Sequence, residues 1–220
     1  MTPVDETPIT SSDRVFITIR DDVVNGSIIA GSKLNEAELS TKYKVSRAVI
    51  RECINRLENT NLVERKANVG AKVVTLSLEG LVQLYQVRES LEGMAARLAA
   101  KHMSPVEITQ LQSLLDTHFN DVKSSQSYYQ EAGDVDFHYR IVLGSHNQHL
   151  ITMLMNNIYH LVRMYRVQLG MAGPRVTTAF EEHRHIVHAI ANRDEELSEM
   201  LMRRHIAYSK NNIEQKLRTA

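Results

Sequence analysis

Asp134 and His138 stand four residues apart in the stretch Asp134-Val135-Asp136-Phe137-His138. On a helix that interval puts a carboxylate and an imidazole on one face, where the two can share a metal ion. Two further histidines lie toward the C-terminal end, His183 in Glu181-Glu182-His183 and His205 in Arg203-Arg204-His205-Ile206. Three imidazoles and one carboxylate suit a divalent metal, zinc first and also nickel, manganese or iron, and leave coordination positions open for a ligand. Spacing by itself does not join the four, because a lone helical histidine is usually a hydrogen-bonded polar residue. The other histidines, at 102, 118, 146, 149, 160, 185 and 188, show no spacing that singles them out, and surface or capping roles suffice for them.

A second chemistry is written around residue 50. In Ser46-Arg47-Ala48-Val49-Ile50-Arg51-Glu52-Cys53-Ile54-Asn55-Arg56-Leu57 the apolar residues form a stripe, which leaves Arg47 and Arg51 on the opposite flank of the first turns. Guanidinium groups so placed, at the end of a helix that enters the major groove, take guanine or phosphate bidentately. Ser46 is an N-cap whose hydroxyl can also meet a phosphate. The alternative is that both arginines are solvated and pair with Glu52 or Glu58. Downstream, Asn68 and Gly70 lie between Lys66 and Lys72. Glycine there permits close backbone approach and the lysines neutralise phosphate, although a plain surface turn reads the same in composition.

The elements that must carry these groups follow from periodicity. Val15, Ile19, Val23 and Val24 predict a first helix starting at Ser11-Ser12-Asp13 and stopping at Asn25-Gly26. A second runs from about 35 to 43 and a third from 46 to about 59, with only Lys44 and Val45 between them, a helix-turn-helix connection. Leu62–Lys66 and Ala71–Thr75 are β-prone runs that make a hairpin. From Ser77 onward only helices are predicted, at about 77–102, 104–123, 125–144, 147–170, 174–193 and 194–218, punctuated by Ser104-Pro105 and by Gly170 through Pro174. The short link Asn192-Arg193-Asp194 should fold the last two helices into an antiparallel pair, with His183 and His205 on them. The expected architecture is mainly α: a disordered tail over 1–10, a winged helix-turn-helix over 11–75, and an antiparallel bundle of six to seven helices over 76–220.

Composition narrows the class. The 220 residues carry no net charge, yet Arg14 to Thr75 holds eleven Lys/Arg against seven Asp/Glu, so a nucleic-acid surface is expected on that segment. No apolar run is long enough for a membrane span, and the polar, acidic beginning lacks the basic and apolar regions of a secretory signal, so a cytoplasmic protein without a membrane partner is expected. Cys53, the one cysteine, sits in the stripe Ile50, Cys53, Ile54, Leu57 and reads as a buried structural thiol.

The N-terminal segment resembles the DNA-binding domain of GntR-family regulators. The resemblance is carried by Ala30-Gly31-Ser32-Lys33-Leu34-Asn35-Glu36, by Ser46 through Glu52, by Asn61-Leu62-Val63 and by Asn68-Val69-Gly70-Ala71. Ala30 departs from a proline usual in that family, and Ala48 from a common threonine, which removes a side-chain contact at 48. The resemblance implies that Arg47, Arg51 and Gly70, with Ser46 and Asn68 beside them, contact a short palindromic operator, and that the protein is a homodimer. Residues 77–218 resemble the FCD ligand domain of the FadR subfamily through Val87-Arg88-Glu89-Ser90-Leu91-Glu92, Asp134 to His138, Ser145-His146-Asn147, Glu182-His183 and Arg204-His205. This second resemblance joins Asp134, His138, His183 and His205 as ligands of one metal. It implies a small carboxylate effector on that metal, assisted by Arg88. The alternative for Arg88 is an intrahelical pair with Glu92; Arg163 and Arg166 are further basic candidates.

The function expected is a transcription regulator, not an enzyme, whose operator affinity is set by that effector, and the resemblance implies a regulator of small organic-acid metabolism. Two rivals stand beside it: a metal-responsive repressor without an organic effector, and a metalloenzyme. For the last, the sequence offers no His-Glu-x-x-His, phosphate loop or nucleophile elbow, and residues 14–75 would be left without a role.

Overall fold

The structure, a computed structural model, describes residues 10–66, 70–125, 137–169 and 175–219. The expected tail up to residue 9, the wing-tip residue Asn68, the break from Gly170 to Pro174 and the candidate ligand Asp134 lie outside the described residues. Two compact units emerge, Met1–Thr75 and Leu76–Ala220.

In the first unit, α1 (Ser11–Val24) begins one residue earlier than the serines suggested. Thr10 is its N-cap, accepting from the Asp13 backbone, while the Asp13 carboxylate accepts from the Thr10 N–H at 3.0 Å. This reciprocal box satisfies two amide groups that the first helical turn leaves without partners. Asn35 caps α2 (Glu36–Tyr43) and Ser46 caps α3 (Arg47–Asn59), with Lys44 in the left-handed region (φ 54°) making the tight turn between them. Cross-links fasten the helices: Asp22 of α1 accepts from Tyr43 and Lys42 of α2, and Arg56 of α3 pairs with Asp13 while lying 3.9 Å from the centre of the Phe16 ring. The predicted stripe of α3 is buried at Ile50, Cys53, Ile54 and Leu57. Strands β1 (Val63–Lys66) and β2 (Gly70–Val73) pair antiparallel from Val63 opposite Val73 to Lys66 opposite Gly70. A bridge from Lys33 to Lys72 adds the segment before α2 to the far edge of β2. Gly70 has φ +88°, a backbone conformation that favours glycine.

The second unit is helical. Its longest members, α4 (Leu78–His102) and α10 (Glu195–Thr219), run antiparallel, since Glu89 meets Arg203 while Arg97 meets Glu195 and Glu199. They approach closely because α4 turns small residues toward this seam: Ala96, Ala99 and Ala100 are fully buried in one cluster with Met202 and Ile206, and a Cβ on Gly93 would come within 2.6 Å of the Arg203 side chain. Around this pair lie α5 (Pro105–Ser125), α6 (Phe137–Gly144) and α9 (Arg175–Ala191), the last joined to α10 by a turn with Arg193 at φ 60°. Of the helix expected over 125–144, the described part is Ser125 at the end of α5 and the whole of α6.

The helix expected over 147–170 contains a wider turn. It consists of α7 (Gln148–Met153), a π-helical segment Leu154–Ile158, and α8 (Tyr159–Leu169). Leu150, Leu154, Ile158 and Val162 are buried together against Ala95 of α4. A four-residue repeat drifts by roughly 40° per step around a regular 3.6-residue helix. The i→i+5 turn takes up part of that drift and keeps all four on one seam.

Candidate functional site

His138 comes from α6, His183 from α9 and His205 from α10, and their metal-ligating atoms lie within 4.8 Å of one another. The approach is through the same ring nitrogen. Nε2 of His205 stands 3.2 Å from Nε2 of His138 and 3.2 Å from Nε2 of His183. All three side chains are 2–3% exposed. Phe137 stacks on the His183 ring with centroids 4.0 Å apart, and Phe180 lies beside it, so the cluster has an apolar wall.

The outer nitrogens explain the geometry. Nδ1 of His138 donates to Glu92 at 2.6 Å, and Nδ1 of His205 donates to Glu182 at 2.7 Å. A carboxylate only accepts, so each of these rings carries a proton on Nδ1, and its neutral form presents a lone pair at Nε2. Two lone pairs facing each other at 3.2 Å cannot form a hydrogen bond; a shared cation between them removes the conflict. A proton does not fill that role at His205. Burial pushes its imidazole down to about 3, against the opposing pull of Glu182. Imidazoles oriented through Nδ1 by carboxylates are the arrangement that metal-binding histidines adopt, so the residues present fit a divalent metal.

Arg88 lies behind this cluster on α4, 2% exposed, and its Nε donates to Glu92. The intrahelical pair is therefore formed, and Glu92 links Arg88 to His138 in a buried chain. Burial disfavours the Glu92 charge, but Arg88 and then His138 outweigh it and hold the carboxyl at about 2; Glu92 in turn raises Arg88 above its ordinary value, against burial. Glu92 and Glu182 were not assigned to the site by sequence reasoning. The first is visible only as a neighbour of Arg88 at four residues, and the second adjoins His183 yet serves His205 on the next helix. Arg163 and Arg166 are carried by α8 and are half-buried.

On the first unit Ser46, Arg47 and Arg51 are all exposed at the start of α3. Ser46 Oγ accepts from the Val49 N–H at 3.4 Å. Arg47 makes no ion pair among the described residues. Arg51 is paired, though with neither Glu52 nor Glu58: it holds Glu36, the first residue of α2, by Nε at 3.2 Å and Nη2 at 2.9 Å. Glu58 is taken by Arg65. Solvent screens an exposed pair of this kind and leaves it little net stability, so Arg51 can exchange Glu36 for a phosphate or a base edge. Sequence reasoning missed Lys33, which the bridge to Lys72 places beside Gly70, with its Cε 3.6 Å from where a Cβ would stand. Burial pushes the Cys53 thiol up, away from the reactive thiolate.

Comparison with known proteins agrees with this layout. Residues 11–73 match the family described as bacterial regulatory proteins, gntR family, and residues 83–208 match the FCD domain. The chain is 32% identical to the Nta operon transcriptional regulator of Aminobacter aminovorans, over 76% of this chain and 77% of that one. It is 26% identical to the probable D-xylose utilization operon transcriptional repressor of Paenarthrobacter nicotinovorans, over 91% and 87%, and 26% identical to the gluconate operon transcriptional repressor of Bacillus subtilis, over 84% and 77%. Among solved structures it shares the fold of E. coli McbR/YncC, with a TM-score of 0.74 at 18% identity over 94% of this chain and 99% of that one. No helix among the described residues is long and apolar enough to cross a membrane. The relatives are regulators rather than enzymes, and the chain belongs to the GntR family of DNA-binding transcription regulators, as a member with an FCD domain.

Proposed function

We propose that the protein is a homodimeric repressor that binds a short palindromic operator and is controlled by a small carboxylate effector at a divalent metal site in its FCD domain, with zinc as the first choice of metal. The observation that carries this reading is the convergence of three buried Nε2 atoms, with Nδ1 of His138 and of His205 each held by a carboxylate. Asp134 enters as a fourth ligand through its spacing from His138 and the resemblance. The metal supplies open coordination positions for a carboxylate. Arg88, fixed through Nε by Glu92, is left with its Nη edge for the same carboxylate, the bidentate geometry that arginine favours. Because the cluster draws on α6, α9 and α10 with α4 behind, an acid bound there biases the packing of four helices. Two packings of the bundle would set two spacings of the paired α3 helices, and the effector acts by its differential affinity for them.

On DNA, Arg47 and Arg51 read base edges or phosphates in the major groove while Ser46, Asn68 and Gly70 meet the backbone. A second reading, a metal-responsive repressor with no organic effector, is favoured by one observation, the engagement of Arg88 by Glu92. Titrating operator affinity with zinc, with and without carboxylic acids, separates the two. His183→Ala should leave the purified protein without stoichiometric metal. Full metal content in that variant overturns the site.

A further inference from the structure

The segment before α2 behaves as a third strand of the hairpin. The Gly31 N–H donates to the Val73 carbonyl at 3.0 Å, the Val73 N–H to Ser32 at 2.9 Å and the Leu34 N–H to Ala71 at 2.9 Å. The last two bonds bracket Lys33 and Lys72 and make them a directly opposed, non-hydrogen-bonded pair, the antiparallel arrangement with Cα atoms about 4.5 Å apart. Side chains so opposed leave the sheet on one face, and like charges there work against the pairing. Leu34, Val63 and Val73 are buried on the other face, so the lysines stand on the outer one. No carboxylate offsets them among the described residues: neither lysine makes an ion pair, and Glu64, opposite Lys72 on β1, is taken by Lys66 at 3.1 Å. Two glycines make room for the stems. Lys33 Cε lies 3.6 Å from where a Cβ on Gly70 would stand, and Lys72 Cε 3.6 Å from where one on Gly31 would stand.

We infer that Lys33 and Lys72 hold the sugar-phosphate backbone of the DNA duplex, one phosphate each, beside the bases that α3 meets. This rests on the reading of α3 as the DNA-contacting helix. The edge adjoins that helix, because Glu36, three residues beyond Lys33, is the partner of Arg51. The stems lie diagonally, Lys33 toward Gly70 and Lys72 toward Gly31, so their ends spread along the sheet and suit successive phosphates of one strand rather than a single oxyanion. Lysine presents a compact point charge without the planar fork of arginine, which fits a phosphate contact that carries no sequence information. Anions on the duplex also relieve the repulsion that the opposed pair carries in the free protein.

The test is a salt series of DNA binding by the full chain, on a duplex selected by the protein from a random pool and on a scrambled one, for the natural protein, Lys33→Gln, Lys72→Gln and Lys33→Arg. Each Gln variant should weaken both duplexes by the same factor, roughly tenfold at about 0.1 M salt, and reduce the slope of log K against log salt by about one per bound chain, the worth of one phosphate. Lys33→Arg should keep the natural slope. An unchanged slope in either Gln variant overturns the inference. Loss confined to the selected duplex overturns it as well, since the lysines would then read bases. Arg47→Ala in the same series keeps this failure apart from failure of the α3 reading: that variant should lose the preference for the selected duplex, and a retained preference counts against α3. A last readout needs no DNA. Removing one of two opposed cations should hold or raise the melting temperature in Lys33→Gln, and a clear fall would mean that the ammonium already has a partner within the chain, which also overturns the inference.

Discussion

Glu92 is the residue whose replacement strikes packing and metal binding together. Glu92→Gln keeps the shape but removes the charge that orients His138 and neutralises Arg88. Loss of an orienting carboxylate of this kind weakens metal affinity about 10–100-fold, and an uncompensated buried guanidinium costs about 3–5 kcal/mol more. Glu182→Gln removes the corresponding partner of His205, and the Glu182 side chain is 20% exposed where Glu92 is buried, so the metal term should appear with a smaller loss of stability. Chelator competition and thermal melting on the two variants check this contrast; equal melting temperatures would show that Arg88 does not depend on Glu92. At this scale the sequence was informative about ring type and silent about partners. The histidines on α6, α9 and α10 were legible as candidates, whereas Glu182 serving a ring on the following helix is a tertiary fact that spacing does not encode. The same holds for Arg51, whose partner Glu36 lies across the turn between α2 and α3.

Elements were legible where their ends carry a chemical signature. Asn35, Ser46, Ser77 and the Ser104-Pro105 step all stand where helices begin, because side-chain oxygens and a fixed φ solve the problem of unpaired amides. Thr10 is passed over in sequence for the serines after it, since serine ranks ahead of threonine as a cap and only the reciprocal Asp13 contact decides for Thr10. That contact makes a prediction. Hydrogen bonds from Thr10, followed by one from Arg56, lower the Asp13 carboxyl from 3.8 to about 2. A depressed carboxyl stabilises the folded state fully above its unfolded value and loses that contribution as the pH falls toward the folded one. The cap should therefore be intact above pH 4 and fade between about 4 and 2. Asp13→Ala should lower the melting temperature of the first unit at pH 7 and abolish this part of its acid sensitivity, while an unchanged acid profile would place the sensitivity elsewhere.

For the whole molecule, twofold use of one reading head has an arithmetic consequence. If two copies bind the two halves of a palindrome, Arg51→Ala removes its contact twice, and a loss of about 1–3 kcal/mol per contact is doubled on the full operator. Competition between full and half operators would show it: the penalty on the full site should be twice that on a single half, with a mass matching two chains per duplex. An equal penalty on both would mean that one copy reads alone. Length carries a constraint of another kind. The wide turn at Leu154–Ile158 holds one more residue than a regular ladder would need, so deleting Met155, Asn156 or Asn157 would let the backbone close into ordinary α-helix with little change in the direction that downstream residues face. Val162 would keep its place on the seam, so this short stretch, which bears no ligand of its own, should tolerate loss of a single position far better than the same loss in the regular helix after it.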